Sequence, residues 1–299
     1  MERRVAAGVH VGKPRTRLGK RLAPYLLVLP GGLWLLIFFL VPIGFMASVS
    51  LQTGNLEEGF RQTWHFHRYI EVFQQYRPEF IRSFVYGSIA TGITLAAGYP
   101  LAYWIAFHGG RHKTTFLFLL LLPFFVSFVI RTLAWQFILA DDGIVLGALK
   151  RWHLLPHSFH VLATQTAVIS GIAYNFLPFM ALPLYVAIER IDRRVVEAAS
   201  DLYANKRDVF LRVIFPLSIP GVFAGILLTF VPAVGDYVNA SILGGTNTTM
   251  IGNIIQLEFL QNFHYPAAAA LSFILMGILL VGIFIYARVL GARSIEEYV

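Results

Sequence analysis

Residues Glu197-Ala198-Ala199-Ser200-Asp201-Leu202, followed by Phe210-Leu211-Arg212-Val213-Ile214-Phe215-Pro216 and by Pro220, form a charged island in an otherwise apolar C-terminal half. The stretch lies between two long apolar runs, so it reads as a loop on which something docks or as a poor membrane span. From Asp192 to Ala204 the chain has no Gly or Pro and is rich in helix formers. Val195, Ala198, Ala199 and Leu202 recur at i, i+3, i+4 and i+7, which gives one small apolar face. Glu197 lies beside that face, where a carboxylate accepts hydrogen bonds or pairs with a basic group. Asn205 reads as a helix stop. A second short helix then runs through Phe210, and Pro216 and Pro220 stiffen the return into the apolar run.

The flanking runs belong to a set of six: Pro24–Ser50, Phe84–Phe107, Thr115–Leu139, Val161–Ile188, Val213–Gly235 and Pro266–Ala287. Each is near or above the roughly 20 apolar residues needed to cross a bilayer. Only Arg131 interrupts them. They are continuously apolar rather than alternating, which excludes a spanning β-barrel and selects helices. Charged residues make up 13 % of the chain, about half the share usual in soluble domains, so the excess apolar surface must face lipid. Pro30, Pro42, Pro100, Pro123, Pro178, Pro183, Pro216, Pro220 and Pro232 all fall within these runs. They suit a bundle that bends or lines a pathway, or ordinary kinks in a static one.

The net charge of +8 is unevenly spread. With the N-terminus taken as cytoplasmic, 17 Lys and Arg fall on cytoplasmic segments and five on the outer loops. That bias sets topology with both termini inside, and is not a nucleic-acid footprint. The first run is too long for a cleaved signal peptide. It is expected as an uncleaved span behind a basic cytoplasmic tail, residues 1–23. Residues 24–290 then make one membrane domain, with the loop at 189–212 and a cytoplasmic tail at 291–299. The outer segment 51–82 places Phe66, Tyr69, Ile70 and Phe73 at helical spacing. It reads as a short amphipathic helix on the bilayer surface, or as contact with an extracytoplasmic partner. The turn His108–Lys113 joins the second and third runs. Asp141-Asp142-Gly143 stops a helix, Trp152 sits at headgroup level, and 236–265 reads as an outer loop.

With no cysteine, disulfides and Cys-ligated metals are excluded. His65 and His67 lack a third ligand in sequence. Gly12-Lys13-Pro14 and Gly19-Lys20-Arg21 fail the phosphate-binding P-loop pattern, so no ATP site is expected on this chain.

The Glu197-Ala198-Ala199 segment, with the spacing Phe210, Ile214, Pro216 and Pro220 between the fourth and fifth runs, resembles the EAA loop of ABC-importer permeases. The resemblance implies an all-α membrane protein with six transmembrane helices and a coupling-helix loop between the fourth and fifth. It implies a multi-pass subunit of the bacterial inner membrane that carries solute by alternating access and is not itself an enzyme. Its implied partners are a cytoplasmic ATPase dimer holding ATP and Mg, a second permease subunit in a heterodimer, and an extracytoplasmic solute-binding protein. The residues assigned to ATPase coupling are Glu197, Ala198, Ala199, Leu202, Tyr203, Phe210 and Pro216. The family usually has Gly six residues after the Glu, where this chain has Tyr203, and Tyr resists the left-handed turn that Gly tolerates.

Pro232-Ala-Val-Gly-Asp-Tyr-Val-Asn239, Gly244-Gly245, Met250-Ile-Gly-Asn-Ile254 and Arg131-Thr-Leu-Ala-Trp135 with Asp142-Gly143 resemble the spermidine/putrescine branch. Permeases for ferric ion, opines and other small solutes carry similar stretches. A cationic cargo suits Asp236 and Glu258 as carboxylates at membrane margins. It also suits Trp135, Tyr174 and Tyr237 as cation–π faces, with Asn175 as a hydrogen-bonding group. Each also has a structural reading: Asp236 as a helix cap, Trp135 and Tyr174 as interfacial anchors, Asn175 as a tie between helices. An ATP-independent transporter or channel remains the alternative from another class.

Overall fold

The computed structural model describes residues 27–296 except 58 and 157. The basic tail at 1–23 lies outside them. Helix α1, Leu27–Ser50, is apolar on every side. A π-helical turn, Leu36–Leu40, precedes Pro42 in it.

Residues 50 onward form a compact unit of their own. It opens with a β-hairpin, β1 Gln52–Asn55 against β2 Gly59–Gln62, antiparallel with Gln52 opposite Gln62. The sequence reading missed this hairpin. Its signal is Gly54 and Gly59, both at positive φ, the conformation only Gly adopts without cost. Then come α2, Arg68–Gln75, and α3, Arg77–His108. The expected amphipathic helix exists as α2. Val72 on it is buried with Phe80, Ile251, Ile254 and Leu271, whereas Phe66, Ile70 and Phe73 of the expected stripe are exposed.

The third apolar run is not one straight helix. It is α4, Lys113–Leu121, a tight 3₁₀ turn at Leu122–Phe125, and α5, Phe128–Leu139, with the two arms bent by 92°. Pro123 cannot donate to a helical ladder, and Val126 and Ser127 have extended ψ near 139°. The expected Thr115–Leu139 span is therefore a broken one. Among the described residues, five continuous helices are long and apolar enough to cross a membrane, and the bent pair counted as one span makes six.

A loop with the short helix α6, Leu146–Arg151, leads to α7, Gln165–Glu189, capped by Thr164. Next are α8, Arg193–Asp201, and α9, Lys206–Val234. The expected outer loop 236–265 holds two further helices, α10, Val238–Leu243, and α11, Ile251–Leu260. The last helix, α12, Tyr265–Glu296, continues past the expected span end, so 291–296 is helical backbone.

Helices α3, α7 and α9 make the centre. Tyr99, Ala102 and Ala106 of α3 meet Met180, Leu184 and Ile188 of α7, with Val222 and Ile226 of α9 against them. The α7–α9 approach depends on missing side chains. A Cβ at Gly225 would collide with Met180, and one at Gly221 with Ala187 and the Pro183 carbonyl. Gly221-x3-Gly225 is thus a small-residue stripe of the kind that lets membrane helices approach closely. At the other end of α7, Val168, Ile172 and Phe176 pack with Tyr86, Ala90, Leu243 and Met250.

Candidate functional site

The 189–212 loop is built from local hydrogen bonding outward. Asp192 Oδ1 accepts from the Arg194 amide at 2.9 Å and starts α8. The helix ends in a closed two-bond turn: Tyr203 N–H donates to Ser200 O at 3.0 Å, and Ala204 N–H to Ala199 O at 3.2 Å. Tyr203 occupies the left-handed position of that turn, φ +61°. The Gly-type turn is kept with a Tyr in it. Asn205 is not a helix stop but the cap of α9, its Oδ1 accepting from the Asp208 amide at 2.9 Å. The second short helix runs without a break into the fifth span. A π-helical turn, Phe210–Ile214, absorbs the register change ahead of Pro216.

The expected single apolar face of α8 divides in two. Val196 and Ala199 turn inward onto Ile191, Val209 and Ile214, beside Tyr103 and Phe107 of α3. Val195, Glu197, Ala198, Leu202 and Tyr203 are exposed, Leu202 at 82 % and Tyr203 at 98 %. Phe210 belongs to the base of the loop. Its ring meets Tyr99 edge-on at 5.6 Å and Tyr103 at 5.9 Å. The residues assigned to coupling thus separate into an outward set, Glu197, Ala198, Leu202 and Tyr203, and an anchoring set, Ala199 and Phe210. Pro216 is exposed in the first turn after the π-helical segment.

At the opposite end of the bundle, Asp236 is buried and fully engaged. Its Oδ1 accepts the amides of Val238 and Asn239 at 2.9 and 3.0 Å, and its Oδ2 the Asn239 side chain at 2.5 Å. It caps α10, the structural alternative open from sequence. Asn239 Oδ1 then accepts from Asn175 Nδ2 at 3.1 Å, which also reaches Thr132 Oγ1 at 3.1 Å. One polar chain therefore ties α5, α7 and α10 to the turn that follows α9.

Glu258 is likewise buried and occupied. Tyr76 donates to its Oε1 at 2.8 Å and Asn262 at 3.1 Å, while His264 Nδ1 lies 2.9 Å from its Oε2. Burial, then this carboxylate, pushes the Tyr76 hydroxyl up to about 12, so it stays a donor. Trp135 and Tyr174 stack in parallel, centroids 5.2 Å apart, with Tyr174 and Tyr237 partly open. Arg131 interrupts the third run. It is buried beneath the bend, its guanidinium 4.6 Å from the Phe124 ring and 5.6 Å from Phe128.

Residues 98–293 match the family model described as the binding-protein-dependent transport system inner membrane component. The chain belongs to that family. The permease is 36 % identical over 256 residues to the spermidine/putrescine transport system permease protein PotB of Haemophilus influenzae, covering 85 % of this chain and 90 % of that one. It is 32 % identical to PotB of Escherichia coli K12, covering 87 % and 96 %. Its fold matches a chain of the bacterial alginate ABC transporter bound to its periplasmic protein, at TM-score 0.69 and 21 % identity over 91 % of this chain and 96 % of that one. The permease is thus an inner-membrane, multi-pass subunit of an ABC importer, a transport subunit and not an enzyme.

Proposed function

We propose that the permease forms the path for a polyamine of the spermidine/putrescine class. The similarity to PotB across nearly the full length of both chains carries this reading. A second, different permease subunit completes the path, and an extracytoplasmic binding protein delivers the cargo. An ATPase dimer holding ATP and Mg docks on the outward set Glu197, Ala198, Leu202 and Tyr203. Both termini and residues 189–212 are cytoplasmic, as the basic residues require.

The placement of the acids refines the chemistry. Asp236 and Glu258 are held by their own chain, so their charges serve the far-end architecture. The partly open rings of Tyr174 and Tyr237 are left to meet ammonium groups, with Trp135 stacked on Tyr174 and Asn175 in the polar chain. Radiolabelled spermidine uptake into proteoliposomes holding the full complex tests the cargo. Excess putrescine or spermidine should compete, and neutral sugars and anions should not. Competition by a sugar or an anion but not by spermidine would remove the polyamine reading. Asn205→Cys in this cysteine-free chain tests orientation, since an impermeant thiol reagent should not label it in intact cells.

A further inference from the structure

Helix α4 starts the broken span, yet none of its nine residues is buried. An edge-on ring contact, Trp104 of α3 to Phe116 at 4.9 Å, steadies its middle. Its first residue, Lys113, reaches across to Glu189, the last residue of α7. The Lys113 ammonium lies 2.7 Å from each carboxylate oxygen. Glu189 stands three residues before Asp192, the cap of α8. This bidentate contact therefore joins the root of the 189–212 loop to the root of the 92° broken span.

Through Ile191, Val209 and Ile214 the loop already grips Tyr103 and Phe107 of α3 by apolar packing. The ion pair adds α4. A charge-assisted contact of this geometry is directional and short. A partly exposed pair contributes little to folding, so its value lies in what it keeps in register.

We propose that Lys113 and Glu189 are positioning residues that form the joint through which displacement of the 189–212 loop reaches α4 and the bend before α5. The proposal rests on that loop being the ATPase contact. Transport per ATP hydrolysed is measured in the reconstituted full complex for Lys113→Gln, Glu189→Gln and the charge swap Lys113→Glu with Glu189→Lys. The single variants should assemble with the ATPase and hydrolyse ATP, while transport per ATP falls at least about fivefold, the lower end of coupling between sites. The swap should restore most of it. Unchanged transport per ATP in both single variants, or a swap no better than they are, overturns the joint. If a neutral variant fails to accumulate, the swap decides alone: transport supports the joint and its loss contradicts it. Glu197→Arg assayed in parallel separates the two readings. Normal assembly and transport there would remove the loop assignment itself, whereas failure of the joint alone leaves Glu197→Arg defective.

Discussion

Tyr203 carries a backbone cost that its own packing does not offset. A non-glycine residue in the left-handed region costs roughly 1–2 kcal/mol, and at 98 % exposure Tyr203 recovers nothing from packing within the chain. Tyr203→Gly should raise stability by about 1 kcal/mol, whereas Tyr203→Ala keeps the Cβ clash and should give no gain. Thermal unfolding of the purified complex reads the difference, and equal midpoints for the Gly and Ala variants would contradict the strain. Asp236 makes the opposite point, because its charge is spent on structure. Asp236→Asn places an amide donor against the Asn239 side chain or leaves a buried amide unpaired, a loss of about 1–3 kcal/mol. The yield of folded complex should fall, and transport per folded complex should change little. A selective loss of polyamine uptake at full yield would return Asp236 to the path. Sequence named both residues but could not assign Asp236, since a carboxylate before a helix is a cap or a ligand according to what faces it.

At the scale of elements, sequence placed the long helices and erred where the chain turns. Continuous apolarity and length found the candidate spans of the described residues. It missed the bend because Pro123 in an apolar run reads alike as a kink or a break, and the extended Val126–Ser127 pair that decides it carries no composition signal. It gave α8 a single apolar face because a four-residue apolar stripe does not say which half a neighbouring bundle covers. The Gly221-x3-Gly225 stripe was legible but unused. Gly225→Leu should force α7 and α9 apart against Met180 and cost about 1–3 kcal/mol. Gly92, where an added Cβ meets nothing within 4 Å, should accept Ala at no loss. Similar thermal midpoints for the two variants would contradict the packing described.

The α5–α7 connection offers a pH test. Lys150 first, and His160 second, hold the Asp141 carboxyl below its ordinary value. The tie is therefore complete above the usual carboxylate pKa of about 4, and is lost as the pH falls through the lower folded value. Hydrogen exchange in Leu146–Arg151, corrected for the intrinsic pH dependence of amide exchange, should rise on acidification in the native chain. In Asp141→Asn it should be raised already and respond less. A matching acid response in the two proteins would show that Asp141 does not hold this connection.

For the whole molecule, the central helices α3, α7 and α9 carry a polar tie at one end and the 189–212 loop at the other, with Lys113–Glu189 and the Phe210 ring cluster at the loop's root. That loop was the most legible functional feature in the sequence, because charge, helix formers and paired prolines coincide within a few tens of residues. The cargo path was the least legible, because aromatic and acidic residues at a membrane margin serve packing and transport alike. The central claim is that this loop couples ATP hydrolysis on a partner to movement of solute through this chain. Binding-protein-dependent spermidine uptake into proteoliposomes, with ATP supplied only on the loop side, tests it most directly when native complex is compared with Glu197→Arg. Uptake should require ATP and be lost in Glu197→Arg, through failed ATPase assembly or through hydrolysis without transport. Uptake that proceeds without ATP, or that survives Glu197→Arg at the native rate, would contradict it.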